Sequence, residues 1–366
     1  MMRSSKGTQR ILLVLAVIVL IFIIVFIATT GYRRASVPKV GLIITGEVAD
    51  DGWNGMHYQG VSYACNKLGT ELIVKENVAE GTGECAEAIH ALVKEGAVMI
   101  ILSSYAYPSE VQEVIQSYPD IAFYGISAEY YAENMTSYFG RMYQARYLAG
   151  IVAGLKTETD IIGYVAAMPN SEVNRGINAF TLGVKSVNEE AVVKVVWTKA
   201  WEEEGTERLA ANTLIDQMGA DVLTYHQNQH YVAYEADARD VFSIGYNAIA
   251  EGLSEKYLTA AIWDWNALYF QIVREYMQGE ANSVKRHWFG IDTGVVDLAE
   301  YSPQVEDMII ERVEVARQEI YDGKNIFSGV IMDNQGEMRC NEGEAISDDI
   351  LLERMDWFVN GVEIYE

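Results

Sequence analysis

The sequence has few of the residues that cross-link small proteins or bind metals. Its 366 residues include only three cysteines, Cys65, Cys85 and Cys340, an odd and scattered set that indicates neither a disulfide framework nor metal-ligand spacing. We predict that all three are buried in apolar surroundings. Proline is also scarce, with 5 residues, while half of the chain is hydrophobic. The chain can therefore bury a large core, and we expect disorder only at its ends.

Basic side chains are outnumbered by acidic ones. The 27 Lys and Arg residues stand against 52 Asp and Glu residues, which gives a formal net charge of −25. Proteins bind phosphate backbones through clustered Lys and Arg, which neutralise the polyanion and release its counterions. Such a cluster is missing from the sequence after residue 39, which argues against nucleic acid as a partner.

The sequence also lacks the motifs of common cofactor and catalytic sites. G-x-G-x-x-G and G-x-x-x-x-G-K-[ST] are absent, which removes the main support for dinucleotide and nucleoside-triphosphate chemistry. It contains neither a G-x-S-x-G elbow nor H-E-x-x-H, and no Cys stands at a helix start with an evident His partner. We therefore predict a binding protein without a cofactor and without catalytic residues.

One histidine pair has a spacing that suits a metal site. His226 and His230, in "HQNQH", are four residues apart, as in helical metal sites. The pair straddles a predicted strand end and helix start, and no acidic third ligand is near in sequence. We favour a polar loop that reads a ligand through Gln227 and Asn228, and predict no metal site.

A long apolar run stands near the start of the chain. Residues 11 to 28, "ILLVLAVIVLIFIIVFIA", would nearly cross a hydrocarbon core of roughly 30 Å as a helix that rises about 1.5 Å per residue. Basic residues precede the run and predict a cytoplasmic segment over residues 1 to 10. We predict a single-pass anchor in the cell membrane, with the binding domain extracytoplasmic. A cleaved signal peptide is the alternative, but no clean small-x-small cleavage site follows the run.

From residue 39 onward, short β-branched runs alternate with longer segments of helical period, the pattern of βαβ units in parallel sheets. The predicted strands are "KVGLIIT", "ELIVKEN", "AVMIILS" and "IAFYGIS", followed by "IIGYVAA", "VVKVVWT", "DVLTYHQ" and "VFSIGYN". The predicted helices lie at about 54 to 68, 84 to 95, 109 to 117, 174 to 187, 206 to 218 and 230 to 239. Two successive sets of four strands predict two similar α/β lobes, each a doubly wound parallel sheet with helices on both faces.

A third section begins at "YLTAAIWDW", residues 257 to 265. Its strand and the helix at about 266 to 278 are too few to form a domain, so we expect this section to return to the first lobe. The predicted first lobe covers residues 39 to 145 and is completed by about 264 to 300. The second lobe covers residues 146 to 263 and is completed by the C-terminal segment. Chain crossings near 140 to 146, near 258 to 264 and further on would form a hinge.

Ligands of open parallel sheets bind beyond the carboxyl ends of the strands, where successive loops converge. Aromatic and amide groups dominate the loops at these positions. An aromatic ring can stack on a planar heterocycle, worth about 1 to 3 kcal/mol per base, while amides and carboxylates read the edge of the ring. The candidate ligand-binding residues are Asp51, Trp53, Asn54, Tyr105, Tyr107, Trp201, Gln227, Asn228, Tyr246, Asn247, Trp263 and Asp264.

Trp53 is the most unusual member of this set. It lies in "DDGWN", residues 50 to 54, where a strand should end and a helix should begin, between Asp51 and Asn54. Loops of this kind normally favour small residues, so an indole here suggests a surface against which a flat ligand lies. The alternative is structural: Trp53 would cap the core beneath the first helix, with Asp51 as a simple N-cap.

Several segments resemble one protein family. The stretch "GYVAAMPNSEVNRGINAFTLGVKSVN", together with "DDGWN", "ARYLAGIVAG", "LIDQMGADVLTYHQN" and "MDWFVNGV", is similar to the basic membrane protein family of bacterial solute-binding proteins, which includes purine nucleoside receptors. The likeness covers about residues 39 to 364, with the motifs in the family's order. It implies a two-lobed periplasmic-binding-protein fold of type I, a purine base or nucleoside as ligand, and an ABC permease as partner.

The resemblance also implies roles for single residues. The family's first loop usually reads Asp-x-Ser-Phe-Asn, with the Phe stacked on the base, and Trp53 stands at that Phe, Asp51 at the Asp and Asn54 at the Asn. A branch of the family with Gly-Trp in this loop suits a free base such as adenine. Many members carry an Asp for the ribose hydroxyls after the strand that here reads "VFSIGYN", where this chain has Asn247.

The function predicted from the sequence is therefore capture of a purine nucleobase or nucleoside outside the cytoplasm for an ABC transporter. Most relatives are lipoproteins with a Cys after the signal, whereas this chain has an apolar run and no Cys there. Some family members act as regulators, so a membrane-anchored domain that senses a purine is the first alternative. A nucleoside-processing enzyme is a weaker one.

Overall fold

A computed structural model describes residue 15 and residues 17–19, 37–49, 52–128 and 130–365. The predicted cytoplasmic segment, residues 1 to 10, lies outside the described residues. So does most of the predicted anchor, residues 11 to 28, of which Leu15 and residues 17–19 are described as helical. Among the residues that are described, no helix combines the length and the apolar character needed to cross a membrane.

The described chain alternates strands and helices through most of its length. The strands are β1 (Lys39–Ile43), β2 (Glu71–Lys75), β3 (Ala97–Leu102), β4 (Ala122–Ile126), β5 (Met135–Gly140), β6 (Ile161–Ala166), β7 (Val192–Trp197), β8 (Val222–His226), β9 (Phe242–Asn247), β10 (Tyr257–Trp263), β11 (Arg286–Phe289), β12 (Val296–Leu298), β13 (Ile331–Met332), β14 (Met338–Cys340) and β15 (Val362–Tyr365). The helices are α1 (Trp53–Leu68), α2 (Glu84–Lys94), α3 (Tyr107–Glu110), α4 (Gln112–Ser117), α5 (Met142–Lys156), α6 (Ser171–Lys185), α7 (Glu204–Asp216), α8 (Tyr231–Ala238), α9 (Trp265–Met277), α10 (Asp307–Tyr321) and α11 (Asp348–Glu353), with a 3₁₀ turn at Ile291–Thr293.

Two large sheets carry the fold. The first sheet has the strand order β11-β5-β4-β3-β1-β2, and all of its neighbouring strands are parallel. The second has the order β12-β10-β9-β8-β6-β7-β15, in which only β12 runs antiparallel to its neighbour. Strands β13 and β14 form a small hairpin. The eight strands predicted as two sets of four are confirmed, and the protein has an α/β fold built on two mostly parallel sheets.

Each large sheet is covered on both faces. In the first sheet, Leu42 of β1 packs in one core with Ala64 of α1, whereas the adjacent Ile43 packs in another with Leu92 of α2. In the second sheet, the Tyr164 ring lies 5.7 Å from the ring of Phe180 on α6. Successive strand residues point to opposite faces, which is why one strand can serve two helix layers. This is the arrangement of doubly wound sheets.

The helices α5 and α6 pack unusually closely, and two glycines permit this contact. A Cβ atom on Gly150 would lie 2.0 Å from the carbonyl oxygen of Phe180, and one on Gly183 would lie 2.0 Å from the carbonyl oxygen of Tyr147. Neither helix backbone could approach the other with a larger residue at these positions. The three cysteines predicted to be buried, at positions 65, 85 and 340, are buried and free of disulfides.

The chain passes between the two sheets three times. It leaves the first sheet between β5 and α5, returns between β10 and α9, and leaves again between β11 and β12. The three crossings lie side by side: the rings of Phe139 and Trp263 are 5.0 Å apart, and the Asp264 amide donates to the carbonyl of Val295 at 2.8 Å. These crossings place the carboxyl ends of both sheets close to one another.

One expectation for the third section was wrong. Its strand, β10, does not return to the first lobe but pairs in parallel with β9 in the second sheet. This pairing agrees with the bounds given for the second lobe, residues 146 to 263, and not with a return of the whole section. Only the following helix returns, and α9 packs against α1. The segment from about 264 to 300 is itself divided, because β11 joins the first sheet whereas β12 joins the second. A β-branched run identifies a strand, but its partner depends on contacts distant in sequence.

Candidate functional site

Both sheets have a topological switch point. The central strands lie in the order β2-β1-β3 in the first sheet and β7-β6-β8 in the second. Where the strand order reverses, the connections leave for opposite faces and a crevice forms at the carboxyl ends. We call the ends of β1 and β3 the first switch point and the ends of β6 and β8 the second switch point.

Trp53 spans the first switch point. It is the first residue of α1, which follows β1, and its indole N–H donates to the carbonyl oxygen of Ser103, just after β3, at 2.9 Å. The next residue, Asn54, accepts hydrogen bonds through its side-chain oxygen from the amide of Thr45 at 3.1 Å and from the Thr45 hydroxyl at 3.0 Å. These bonds fix the partly buried indole at the strand ends.

A set of rings continues from Trp53. The centroid of His57, one turn further along α1, lies 4.2 Å from the ring of Trp53 and 4.2 Å from that of Trp265. Trp265 begins α9 and stacks on Trp263, at 4.8 Å between centroids and 18° between planes. The helices α1 and α9 can bring these rings together because a Cβ on Gly60 would lie only 2.8 Å from the Trp265 carbonyl oxygen.

The second switch point carries charge. His226 ends β8, and its Nε2 lies 3.9 Å from a carboxylate oxygen of Glu172, at the start of α6. Burial, and then the nearby cations of Arg146 and Arg175, hold the pKa of His226 well below its ordinary value, so the imidazole is neutral. The His226 ring lies 4.2 Å from Tyr246 and 6.0 Å from the exposed Trp201.

Arg146, on α5, packs against Tyr246 and is fully buried. Its guanidinium donates to the carbonyl of Tyr225 at 2.7 Å and lies 4.1 Å from the centre of the Tyr246 ring. Tyr164, whose ring is 5.5 Å from the same guanidinium, comes from the neighbouring strand β6. A buried cation held by a carbonyl and by ring faces gives the second switch point a fixed positive charge.

The two switch points meet through the end of β9. Asn247 has a left-handed backbone, with φ of 72°, and its side-chain amide lies 4.0 Å from the sulfur of Met56 on α1. Its side-chain oxygen is buried and has no hydrogen-bond partner among the described residues. Tyr246 and Trp263 lie on one face of neighbouring strands, because Tyr246 pairs with Ala261 in the parallel register. Trp263 stacks on Trp265 of the first side, and the Tyr246 ring lies 4.2 Å from His226 of the second, so these two strand ends carry rings of both sides.

Two further predicted residues shape the loop beside Trp201. The amide of Asn228 donates to the Trp201 carbonyl at 2.8 Å. Gln227 is buried, and with its amide oriented to satisfy both ends it donates to the carbonyls of Ala200 and Trp201 and accepts from Thr198. Gln227 thus shapes the loop rather than facing the crevice.

Other predicted residues lie elsewhere. Tyr107 is fully buried in the core on the α2 side of the first sheet, and its hydroxyl donates to the carbonyl of Val78 at 2.6 Å, so the structure does not bring it to the site. Asp264 caps α9 by accepting from the amide of Ala267 at 3.0 Å. Tyr105 is 56% exposed at the rim. Asp51 lies outside the described residues.

His226 and His230 do not act as a pair. The Nδ1 atom of His230 is bonded to the Tyr225 hydroxyl at 2.7 Å, while His226 faces Tyr246. Within the part of the chain that the structure describes, no group of three or more His, Cys, Asp or Glu is placed to hold a metal ion.

Sequence reasoning missed His57 and Arg146. His57 follows Trp53 by four residues, a spacing that places both on one helix face, and this spacing could have identified His57 from the sequence. Arg146 is the single charge within the run "ARYLAGIVAG", and only its burial shows what it contacts.

Comparison with known proteins agrees with this architecture. The profile of the family described as PnrA-like ABC transporter substrate-binding proteins matches residues 37–329. A Haloferax volcanii protein, named provisionally as an ABC transporter glucose-binding protein, is 36% identical over 341 residues, which cover 91% of this chain and 82% of that protein. A purine-binding protein of Brucella abortus is 31% identical over 329 residues, which cover 89% of this chain and 93% of that protein.

Solved structures share the fold. A transcriptional activator of the comK gene from Bacillus halodurans superposes with a TM-score of 0.69 at 23% identity, over 78% of this chain and 99% of that one. An ABC transporter solute-binding protein from Conexibacter woesei gives a TM-score of 0.65 at 19% identity, over 78% and 97%. The resemblance found in the sequence is confirmed: the chain belongs to the family of PnrA-like ABC transporter substrate-binding proteins.

Proposed function

We propose that this protein captures a purine nucleobase or nucleoside between its two sheets, outside the cytoplasm, and delivers it to an ABC permease. Family membership gives the coarser statement: the chain belongs to a family of ABC transporter substrate-binding proteins, which implies a small-molecule ligand and a permease partner. The identity of the ligand is the proposal.

The observation that carries it is the ring set at the first switch point. Trp53, His57 and Trp265 bring neutral rings together within 4.2 to 5.4 Å of one another at the strand ends. A flat heterocycle gains stacking energy on such a surface. The nitrogens of His57 and Trp265 that have no partner among the described residues can supply polar contacts to its edge. The name of the Brucella relative supports the same ligand class.

A sugar is the competing ligand, because the Haloferax relative is named for glucose. Each sugar hydroxyl both donates and accepts, so a sugar site needs acceptors as well as donors. Of the acceptors described at the first switch point, the Ser103 carbonyl takes the Trp53 indole and the Asn54 amide oxygen takes Thr45. The side-chain oxygen of Asn247 is an acceptor without a partner among the described residues, but three ring nitrogens, of His57, Trp263 and Trp265, also have none. This excess of ring nitrogens supports a ligand rich in acceptors, such as a purine.

We propose the following ligand-contacting residues, which keep the rim and strand-end members of the predicted set and add the two rings beside Trp53. They are Trp53, Asn54, His57, Tyr105, Trp201, Asn228, Tyr246, Asn247, Trp263 and Trp265. Asp51 stays a prediction from the sequence. We assign structural roles to two other residues: Asp264 caps α9, and Gln227 stabilises the loop that contains Trp201.

We also propose that the protein is a type I binding protein whose two lobes close on the ligand about the three crossings, with residues 11 to 28 as a membrane anchor. The proposed lobes are residues 39 to 145 with about 264 to 300, and residues 146 to 263 with the C-terminal segment. The strand order of the two sheets supports this division except at β12. Closure of this kind is a hinge motion. Small-angle scattering should show a more compact particle with saturating ligand, and an unchanged profile would count against closure.

A membrane-anchored purine sensor would use the same site and differ only in its partner. Mass spectrometry of small molecules released by denaturing the purified full-length chain tests the ligand, followed by calorimetric titration of the ligand-stripped chain with adenine, guanine, adenosine, guanosine and glucose. Purines should be released or bound while glucose gives no heat. Binding of glucose without any purine would overturn the proposal.

A further inference from the structure

One ring nitrogen of His57, at the first switch point, is buried without a hydrogen-bond partner among the described residues. The His57 side chain has no solvent exposure, and its Nδ1 atom is hydrogen-bonded to the hydroxyl of Tyr269 on α9. In contrast, Nε2 has no hydrogen-bond partner among the residues that the structure describes, and the same holds for the indole nitrogen of the adjacent Trp265. A buried polar atom without a partner costs free energy, so each such atom needs an explanation.

The hydroxyl groups around His57 decide which nitrogen carries the proton. The Tyr269 oxygen also lies 2.8 Å from the hydroxyl of Tyr138. If Tyr138 donates to Tyr269 and Tyr269 donates to Nδ1, both hydroxyl hydrogens are used and the proton of the ring lies on Nε2. With the opposite direction, Nδ1–H donates to Tyr269, Tyr269 donates to Tyr138, and the Tyr138 hydrogen has no acceptor among the described residues. The first arrangement leaves fewer unpaired atoms.

The direction of Nε2 follows from the positions on α9. Tyr269 comes one helical turn after Trp265, so it lies further from the strand ends at which α9 begins. The two ring nitrogens of an imidazole point in nearly opposite directions. Because Nδ1 faces Tyr269, we infer that Nε2 faces the other way, toward the helix starts, where the ring centroids of Trp53 and Trp265 each lie 4.2 Å from that of His57.

The ring of His57 is uncharged at neutral pH. Burial lowers its pKa to about 3. The imidazole therefore offers one donor and one acceptor, and the Tyr269 hydroxyl takes the acceptor. Only a donor is left for a ligand.

We propose that His57 is a specificity-determining residue that donates through Nε2–H to a hydrogen-bond acceptor on the edge of the bound purine. This inference rests on the proposed function and narrows the ligand: the edge that enters here carries an unprotonated ring nitrogen or a carbonyl oxygen, not an amino group or a ring N–H. Tyr269 acts as a positioning residue, since it sets the tautomer of His57.

Single-atom analogues of the ligand test this contact. Adenine is titrated against three analogues in which one of its acceptor ring nitrogens is replaced by C–H, with wild type, with His57→Phe and with the control His90→Phe. His90 is a suitable control because it pairs with the Tyr118 hydroxyl at 2.7 Å on the surface of α2. Wild type and His90→Phe should bind one analogue roughly tenfold to hundredfold more weakly than adenine. His57→Phe should lose that difference and bind adenine as weakly as the analogue.

Discrimination among the analogues that is unchanged in His57→Phe would overturn the inference while leaving purine binding intact. Failure of wild type to bind any purine would instead remove the proposed function, and the inference with it. The two failures are therefore distinguishable.

A spectroscopic measurement tests the tautomer without any ligand. Nitrogen NMR of the ¹⁵N-histidine-labelled chain, with the signal assigned by its loss in His57→Phe, should show a protonated nitrogen at Nε2 and an unprotonated one at Nδ1. Tyr269→Phe should change this pattern, whereas Tyr138→Phe should not, because Tyr269 still donates to Nδ1. A proton on Nδ1 in wild type would contradict the proposal.

Discussion

The two switch points occupy the same place in similar sheets but carry different chemistry. At the first, Trp53 reaches from the helix after β1 to the carbonyl of Ser103 beyond β3. At the second, Glu172 reaches from the helix after β6 toward His226 at the end of β8. The ring set at the first point is neutral, although the Glu80 carboxyl group accepts from the Ser104 hydroxyl just after β3. The second point presents charged and titratable groups among its rings.

The difference extends to what lies behind each point. Behind the first, His57 is connected to two tyrosine hydroxyls, and no charged group enters the chain of hydrogen bonds among the described residues. Behind the second, the guanidinium of Arg146 is buried against Tyr246. One side of the crevice is suited to read an uncharged ring by stacking and donation. The other holds fixed charge that organises its own strand ends.

The largest effect is expected from removing the buried charge at the second point. Arg146→Ala should lower the free energy of unfolding by about 3 to 5 kcal/mol, because it opens a cavity and breaks a buried polar network. Chemical denaturation measures this change. Arg274→Ala is the control, since Arg274 is exposed on α9 and its loss should stay within about 0.5 kcal/mol. Equal stability of the two variants would show that the buried charge has no structural role.

The pH dependence of stability compares the two histidines. Burial lowers the pKa of His57 to about 3, so below about 6.5, the ordinary value, the unfolded state takes up a proton that the folded state does not. The free energy of unfolding therefore decreases as the pH falls, because of this residue, by about 2 kcal/mol between neutral pH and about pH 5. Unfolding titrations at neutral and acid pH should show a smaller loss in His57→Phe than in wild type.

His226 should also decrease the free energy of unfolding as the pH falls, because its pKa is lowered as well. The buried Glu207 acts oppositely: burial raises its pKa to about 7, so protonation stabilises the folded state as pH falls. The comparison of variant with wild type removes this shared contribution. An equal slope in His57→Phe and in wild type would contradict a buried neutral imidazole.

The smallest effect is expected at Asp264. As an N-cap that accepts from Ala267, it should contribute about 1 kcal/mol to stability, lost in Asp264→Ala and largely kept in Asp264→Asn. Neither change should alter ligand affinity. Thermal melts and titrations of both variants check this, and a large loss of affinity in Asp264→Asn would return the residue to the binding site.

The strands were predictable because a buried parallel strand is a short β-branched run between turn residues. Helix α5 was not predicted, since it is buried on nearly all sides and its sequence "MYQARYLAGIVAGLK" has no apolar stripe. Strand pairings could not be predicted from the sequence either. Strand β15 pairs with β7, and β10 with β9, through contacts between residues that are distant in sequence.

For the candidate site, the strand-end rule selected Trp53, Trp201, Tyr246 and Asn247, and the structure places them after or at the ends of parallel strands. It failed for Tyr107, because the rule selects a loop but not the face on which a side chain packs. It missed His57, which lies one turn inside a helix. Both cases depend on burial and on hydrogen-bond partners, which the structure shows and a local sequence pattern does not.

The most direct test of the account is the affinity of Trp53→Ala for purines, measured by calorimetric titration beside an unfolding curve. A stacking role predicts a tenfold to hundredfold loss of affinity, from about 1 to 3 kcal/mol of lost stacking, with a smaller loss of stability than a core residue would cause. Trp288→Ala is the matched control, since that indole also donates to a backbone carbonyl, of Gly140 at 2.9 Å, away from the switch points. Normal purine binding by Trp53→Ala, with stability reduced by about 3 to 5 kcal/mol, would show instead that Trp53 is a packing residue and contradict the proposed site.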